Sequence, residues 1–203
     1  MPLLPRVMQR ARPGVIPALV VLLAGTTLSA CGSTASTGDK GYIDGKGVIT
    51  EVASGQRRPV GDITGATLQG KDVSLKALGN GKPVVVNVWA SWCAPCRAEA
   101  GRLAAASSQL GSGVRFLGIN VRDPGGKDRS LAYERRFAVP YASIYDPSGR
   151  SLLGFPGGLT PYTIPSTLVI DSSGRVAASI LGEIPSTQTV VDLVHDADRG
   201  VGK

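Results

Sequence analysis

The 203-residue chain is 42% hydrophobic and 18% charged, with a formal net charge of +7, three cysteines and one histidine. This composition allows one compact domain with a sizeable core and little more. The basic residues are scattered, and Arg57-Arg58 and Arg135-Arg136 are the only doublets, so the charge pattern does not indicate nucleic acid as a partner.

The first thirty residues have the pattern of an export signal. Arg6, Arg10 and Arg12 form a basic segment, and the apolar run that follows, 15–24, is too short for a comfortable membrane span. No two of these arginines are adjacent, so the general secretory route is favoured over the twin-arginine route.

Leu28-Ser29-Ala30-Cys31 resembles the bacterial lipobox. At such a signal the chain is cut before the cysteine, whose thiol carries a diacylglycerol. The alternative is an ordinary signal peptide that leaves Cys31 as a free thiol, a liability in an oxidising compartment. Because of that liability, we predict a lipoprotein signal peptide over 1–30 and lipidation of Cys31. Two or three acyl chains would anchor the protein far better than one.

Residues 31–57 are predicted to form a lipid-anchored, flexible tether, and residues 58–203 the folded domain. The stretch 32–38 (GSTASTG) is small, polar and without periodicity, so it cannot bury enough surface to fold. The more mixed segment 41–51 leaves its order undecided.

The folded part alternates strand-like and helix-like segments. In chain order we predict a hairpin of 67–68 and 73–75, a buried strand over 83–89, a helix ending near 110, a strand over 114–121, a helix over 128–137, strands over 139–145, 166–171 and 175–181, and a helix that Ser186 caps. The order hairpin, βαβαβ, ββα requires parallel strands first and antiparallel strands last. The predicted fold class is therefore α/β, with a mixed central sheet flanked by helices.

Cys93 and Cys96 lie where the buried strand ends and the long helix begins. Unpaired backbone N–H groups and the positive end of the helix dipole favour a thiolate there, and one helical turn brings the second sulfur within reach of the first. A zinc site needs about four Cys or His ligands, and with Cys31 assigned to the lipid anchor only two Cys and one His remain. Two inert buried thiols would need no such spacing. The spacing predicts a redox-active dithiol.

The segment 89–96 (WASWCAPC) resembles the active-site signature of the thioredoxin superfamily, and Ile164-Pro165 resembles the cis-proline that faces the dithiol in that fold. The hairpin before the central strand, Asn87 and Glu99 resemble the membrane-tethered TlpA/ResA-like (CcmG/DsbE-like) branch. The resemblance covers about residues 59–198 and implies a thioredoxin fold with an N-terminal β-hairpin extension.

The resemblance also implies roles for individual residues. Cys93 is the attacking thiolate on the exposed side of the helix start, and Cys96 is the shielded, resolving thiol. Pro165, if cis, leaves the neighbouring backbone free to pair with an extended substrate; the alternative is a trans proline that opens a strand. Trp92 shields the surface and is a candidate substrate contact, whereas Trp89 is structural.

Proton transfer is where the sequence departs from thioredoxin itself. Thioredoxins carry a buried Asp at the position of Asn87, and an asparagine cannot act as the base for Cys96. The TlpA/ResA-like branch uses a glutamate at the position of Glu99. The alternative is that Glu99 is a helix-surface residue favoured by the dipole.

The resemblance implies a lipid-anchored protein-disulfide oxidoreductase on the extracytoplasmic face of the bacterial cell membrane. It would use no metal and no cofactor beyond the Cys93–Cys96 disulfide, and would reduce disulfides of partner proteins such as apocytochrome c during cytochrome c maturation. A membrane electron donor of the CcdA/DsbD type would re-reduce it.

Three alternatives keep the fold or the cysteines but change the chemistry. A disulfide-forming oxidant of the DsbA kind tends to have His between its cysteines, where this chain has Ala94-Pro95, which favours a reductant. A thioredoxin-like copper-binding chaperone spaces its cysteines by three residues and adds a downstream His near the cis-proline region, and neither feature is present. A peroxidase would need a Thr-x-x-Cys at the helix start, which is absent.

Overall fold

The computed structural model describes residues 42–43, 47–157 and 159–200. The strands are β1 (Tyr42–Ile43), β2 (Gly47–Glu51), β3 (Thr64–Ala66), β4 (Asp72–Ser74), β5 (Val84–Trp89), β6 (Arg115–Asn120), β7 (Ser143–Tyr145), β8 (Ser166–Ile170) and β9 (Val176–Gly182). The α-helices are α1 (Leu75–Gly79), α2 (Ala94–Leu110), α3 (Gly126–Arg136) and α4 (Thr187–Asp198). Short 3₁₀ turns lie at Ser54–Gln56, Gly111–Gly113 and Arg150–Gly154.

A seven-stranded mixed sheet forms the centre of the domain, in the order β1-β2-β9-β8-β5-β6-β7. β5, β6 and β7 are parallel, whereas β8 runs antiparallel to β5, and β9 antiparallel to β8. β3 and β4 form a separate hairpin. The predicted mixed sheet, flanked by helices and preceded by a hairpin, is confirmed.

The central strand β5 is buried along its whole length, as its continuous apolar run predicts. Val85 packs against residues of α2 and α4, such as Leu103 and Val190, on one face of the sheet. Val84, Val86 and Val88 pack on the other face, against α1 and the 3₁₀ turn at Arg150–Gly154. The end of β5 is thus held rigidly from both sides, and the cysteine pair follows directly.

The predicted tether extends too far along the chain. β2 pairs antiparallel with β9 from Gly47 to Glu51, so residues assigned to the tether belong to the sheet. Further on, Arg57 is buried, and its Nη1 donates to Asp171 Oδ2 at 3.2 Å and to the Ala197 carbonyl at 2.8 Å. The sequence could not indicate this, because β2 is recruited by the free backbone groups at the edge of β9 rather than by a periodicity of its own.

The predictions for the beginning of the chain lie outside the described residues. These are the signal peptide over 1–30, lipidation of Cys31, and the tether residues 31–41 and 44–46. Within the described residues, no helix combines the length and the apolar character that crossing a membrane requires.

Ser186 caps α4 as predicted, with its Oγ accepting from the Thr189 backbone N–H at 3.1 Å. Ser186→Ala leaves that N–H without its partner, so we expect the free energy of unfolding to fall by about 1 kcal/mol. Urea denaturation measures this change. Ser172→Ala, at an exposed turn position, is the matched control, and equal effects of the two substitutions would contradict the assignment of the cap.

Candidate active site

The two cysteines of the motif are joined in a disulfide at the first turn of α2, with their Cα atoms 5.2 Å apart. Cys93 is the N-cap residue, and its Sγ accepts a hydrogen bond from the Cys96 backbone N–H at 3.2 Å. Pro95 fits in the first turn because the N–H that it lacks would have no acceptor within the helix. The Cys96 backbone N–H at the start of the helix therefore points at the sulfur of Cys93, where it and the helix dipole stabilise negative charge.

Both sulfurs are more enclosed than expected. Cys93 is only 3% exposed and Cys96 is fully buried, so the first cysteine is the more accessible of the two but does not lie open on the surface. Ile164 packs against the cluster of buried side chains that contains both cysteines. In the disulfide form, Cys93 is therefore less exposed than predicted, because Ile164, in the loop that contains Pro165, packs over the start of α2.

The Ile164–Pro165 peptide bond is cis. The Pro165 carbonyl accepts from the Gly182 N–H at 2.9 Å, which attaches the loop to the start of the β8–β9 pairing. Within the described residues, neither the N–H nor the C=O of Ile164 makes a backbone hydrogen bond. Ile164 therefore offers a free donor and a free acceptor beside the disulfide, as an extended substrate segment would require.

Glu99 is completely buried on the inner face of α2, three residues after Cys96. Its two carboxylate oxygens accept from Asn87 Nδ2 and from the Ile184 backbone N–H, each at 2.9 Å. Burial raises the pKa of the Glu99 carboxyl to about 7, although both hydrogen bonds oppose the shift. The alternative of a helix-surface glutamate is wrong.

Asn87 connects the carboxyl group to the sheet. It projects from β5 and is buried, and its Nδ2 also lies 3.3 Å from Thr167 Oγ1 on the neighbouring strand β8. The residue at the position of thioredoxin's aspartate therefore serves as a hydrogen-bond donor to Glu99. The sequence excluded Asn87 as a base but did not reveal this contact, because it depends on how α2 packs over β5.

Trp89 and Tyr133 link the sheet to the second cysteine. The rings are stacked with their centroids 4.2 Å apart, and the Tyr133 hydroxyl donates to the Cys96 carbonyl at 2.7 Å. Trp89 Nε1 donates to Ser143 Oγ at 3.3 Å, and a Cβ atom at Gly118 would lie 2.8 Å from that nitrogen. Trp89 is structural, as predicted, and through Tyr133 it helps to hold the first turn of α2 against the sheet.

Asp123 anchors the loop before the cysteines and was not identified as a functional residue from the sequence. Its carboxylate accepts from the Ser91 N–H and Oγ at 2.8 and 2.9 Å, and from Asn120 Nδ2 and Ser130 Oγ at 3.2 and 2.9 Å. Burial raises the pKa of Asp123, but these hydrogen bonds outweigh it and hold the pKa below its usual range. An ionised carboxylate thus ties the loop to the end of β6.

Trp92 lies at the surface beside Cys93 and is 43% exposed. Its Nε1 donates to the Arg122 carbonyl at 2.8 Å, which orients the indole along the rim of the site. This position agrees with the predicted shielding role. Within the described residues, no three His, Cys, Asp or Glu side chains are grouped as a metal site would need.

The arrangement is suited to a two-electron exchange at sulfur. The disulfide occupies a helix N-terminus that stabilises a thiolate, and a free backbone edge at Ile164 lies next to it. A buried carboxyl with a pKa of about 7 follows one turn after Cys96 on the same helix, so it can hold or release a proton near neutral pH.

Known proteins share this domain. The AhpC/TSA family model matches residues 56–179, more than half of the chain. The thiol:disulfide interchange protein DsbE of Tatumella citrea is 35% identical over 131 residues, which cover 64% of this chain and 66% of that protein, slightly less than two thirds of its length.

Two solved structures are also similar. A DsbF homologue from Corynebacterium diphtheriae is 34% identical with a TM-score of 0.68, over 73% of this chain and 92% of that chain. A secreted thiol-disulfide isomerase from Corynebacterium glutamicum is 32% identical with a TM-score of 0.67, over 76% of this chain and 95% of that chain.

Proposed function

The chain belongs to the AhpC/TSA family of thioredoxin-fold proteins, and on that premise we propose that it is a protein thiol–disulfide oxidoreductase acting through Cys93 and Cys96. The observation that carries the proposal is the Cys93–Cys96 disulfide at the N-terminus of α2, beside a cis-proline loop with a free backbone edge. The names of the related proteins, thiol:disulfide interchange protein and thiol-disulfide isomerase, support the same activity.

In the reductive direction, the Cys93 thiolate attacks one sulfur of a substrate disulfide. A bond forms between Cys93 Sγ and that sulfur, and the other substrate sulfur leaves as a thiolate that takes up a proton. Cys96 then loses its proton and attacks Cys93 Sγ, which releases the second substrate thiolate and closes the Cys93–Cys96 disulfide. Two electrons have passed from the dithiol to the substrate.

Glu99 is the proposed proton acceptor for Cys96. Cys96 is fully buried, so its proton has no direct exit to water, and a carboxyl with a pKa of about 7 follows one turn later on the same helix. Asn87 and the Ile184 N–H hold the carboxylate oxygens in place. Asn87 and Ile184 are positioning residues, because they act through Glu99.

We further propose that the protein acts outside the cytoplasm as a reductant, attached to the membrane through lipid on Cys31. Ala94-Pro95 between the cysteines and the lipobox-like sequence support this assignment. A reductant in an oxidising compartment needs a dithiol donor at the membrane, of the CcdA/DsbD type, and partner proteins such as apocytochrome c are the proposed substrates.

The reduction potential of the Cys93–Cys96 pair tests the direction. Equilibration of the purified protein with glutathione buffers, read by tryptophan fluorescence or thiol alkylation, gives this potential directly. A value near or below that of thioredoxin, about −270 mV, is expected for a reductant, whereas a value near that of DsbA, about −120 mV, would overturn this direction and indicate an oxidant.

Cys96→Ser should trap the proposed intermediate. Without the resolving thiol, we expect a mixed disulfide between Cys93 and a disulfide-bonded substrate to accumulate, and insulin reduction to fall to the uncatalysed rate. Mass spectrometry of the alkylated adduct measures this. Cys93→Ser is the matched control, which should form little adduct because Cys96 is fully buried; equal trapping by both variants would contradict the assigned roles.

A further inference from the structure

Arg122 lies between two aromatic rings at the rim of the active site. Its guanidinium carbon is 5.4 Å from the centroid of the Trp92 ring and 4.3 Å from that of the Tyr162 ring. Both rings reach solvent, since Trp92 is 43% and Tyr162 76% exposed. We call these three side chains the Arg122 stack; both ring distances are within the range of cation–π attraction.

The guanidinium of Arg122 has no acceptor in the described part of the chain. Four other arginines that are at least partly buried all donate to a carboxylate or a carbonyl: Arg57, Arg102, Arg115 and Arg175. Arg122 is also partly buried, yet only its backbone makes hydrogen bonds in the described residues: its carbonyl accepts from Trp92 Nε1 and its N–H donates to the Pro147 carbonyl. A guanidinium that lies over aromatic rings still has its N–H groups available at its edge, where a carboxylate binds with two hydrogen bonds.

Among the described residues, no carboxylate forms an ion pair with Arg122. Asp123 is adjacent in sequence, but its oxygens are buried and already accept hydrogen bonds from Ser91, Asn120 and Ser130. Arg97, in the first turns of α2, is also exposed and donates to the Ser91 carbonyl. In the described part of the chain, Arg97 and Arg122 thus place two guanidinium groups without an ion-pair partner at the rim, where they can attract a negatively charged group of a substrate.

The stack connects the two loops that flank the disulfide. Trp92 directly precedes Cys93, and Tyr162 stands two residues before Ile164, whose backbone groups are free. The bonds from Ser91 to Asp123 hold the cysteine loop against the residue that follows Arg122. An extended segment that pairs with Ile164 and presents a sulfur to Cys93 has to pass this guanidinium.

We propose that Arg122 determines substrate specificity by binding the side-chain carboxylate of an Asp or Glu close to the reacting cysteine of a protein substrate. This inference rests on the proposed oxidoreductase function and names the class of segment that the site prefers. The stack contributes by holding the guanidinium at the rim before the substrate arrives, so that little freedom is lost on binding. The preference is expressed mainly as a faster encounter between protein and substrate.

Rates of thiol–disulfide exchange with three peptides test the proposal. The peptides contain one disulfide, have acetylated and amidated ends, and differ only in carrying Glu, Gln or Lys two residues from the reacting cysteine. For the native protein in its reduced form, we expect the Glu peptide to react about three- to fivefold faster than the Gln peptide at low salt, and the Lys peptide more slowly than both. The ratio should decline towards one as salt is raised.

Substitutions distinguish a specific effect of Arg122 from an effect of the protein's overall positive charge. Arg122→Gln should bring the Glu-to-Gln rate ratio close to one, and Arg122→Lys should leave it between that value and the native ratio, because the charge remains but the two-bonded geometry is lost. Arg135→Gln, at an exposed position of α3, removes the same charge elsewhere and should leave the ratio unchanged. Because a ratio is compared, a general loss of activity does not affect the readout.

The outcomes also distinguish this inference from the function on which it rests. If all three peptides react at the same salt-independent rate, or if Arg122→Gln keeps the native ratio, the assignment of Arg122 is overturned while the oxidoreductase function stands. If no peptide exchanges faster than it does with free dithiothreitol, the proposed function fails, and this inference fails with it.

Discussion

The free energy of unfolding of the disulfide form should fall as the pH rises from about 4.5 to about 7, and Glu99→Gln should remove most of this fall. Burial raises the pKa of Glu99 from 4.5 to about 7 in the folded protein. Between these values the folded state binds more protons than the unfolded state, so raising the pH stabilises the unfolded state. The carboxyl thus stabilises the fold least above pH 7.

The size of this effect follows from linkage. A pKa shift of this extent lowers the free energy of unfolding by an amount on the order of 3 kcal/mol between pH 4.5 and 8. Urea denaturation of the oxidised native protein and of Glu99→Gln at several pH values in this interval measures the difference, and the intact disulfide keeps the cysteines from titrating. Glu51→Gln, at an exposed carboxylate, is the matched control. Parallel stability curves for native and Glu99→Gln would show that Glu99 ionises normally.

Asn87→Asp should destabilise the protein strongly at pH 8 and much less at pH 5. The substitution replaces the amide that donates to Glu99 Oε1 at 2.9 Å with a second buried carboxyl group. At low pH the two groups can share a proton, one donating to the other, whereas at high pH two like charges are held in contact. We expect a loss on the order of 3–5 kcal/mol at pH 8, the range for an uncompensated buried charge.

Asn87→Ala provides the matched comparison. It removes the donor without adding a charge, so we expect a loss of about 1–3 kcal/mol. The loss should be somewhat larger at pH 8 than at pH 5, because the Asn87 hydrogen bond favours ionised Glu99, but this contrast should be smaller than that of Asn87→Asp. Urea denaturation of both variants at pH 5 and pH 8 measures the contrast. An Asn87→Asp protein that loses no more stability at pH 8 than at pH 5 would mean that the two side chains do not face each other in solution.

Glu99→Gln also tests a role of Glu99 in catalysis. If Glu99 accepts the proton of Cys96, Glu99→Gln should slow the closing of the disulfide and remove a titration near pH 7 from the rate profile of the native enzyme. A purely structural role for Glu99 would lower stability without changing the shape of that profile. The pH–rate profile therefore separates a positioning or catalytic role from a packing role.

Local sequence patterns predicted most of the regular structure. The continuous apolar run before the cysteines predicted the buried strand β5, the helical spacing after them predicted α2, and Ser186 predicted the start of α4. Such features depend on neighbours a few residues away, and the printed sequence contains all of them. Local patterns did not predict the edge strand β2, because its strand conformation comes from pairing with β9, which is more than a hundred residues further along the chain.

The cysteine pair and the sites of Pro165 and Glu99 were likewise evident in the sequence, because motif chemistry depends on residue type and spacing. Their environments were not. Whether Glu99 is a surface residue or a buried acid depends on which face of α2 meets β5, and its partners Asn87 and Ile184 come from distant segments. The low exposure of Cys93 depends likewise on Ile164 in a remote loop.

The sequence by itself therefore determined the order of the main strands and helices from the β3–β4 hairpin onward, the parallel and antiparallel halves of the sheet, and the dithiol at a helix N-terminus. Only the tertiary structure decided the raised pKa of Glu99, the hydrogen bonds from Ser91 to Asp123, and the position of Arg122 over two aromatic rings. The physical reason is range. Propensity and periodicity act over a few residues of chain, whereas desolvation and hydrogen-bond geometry depend on which surfaces the completed fold brings into contact.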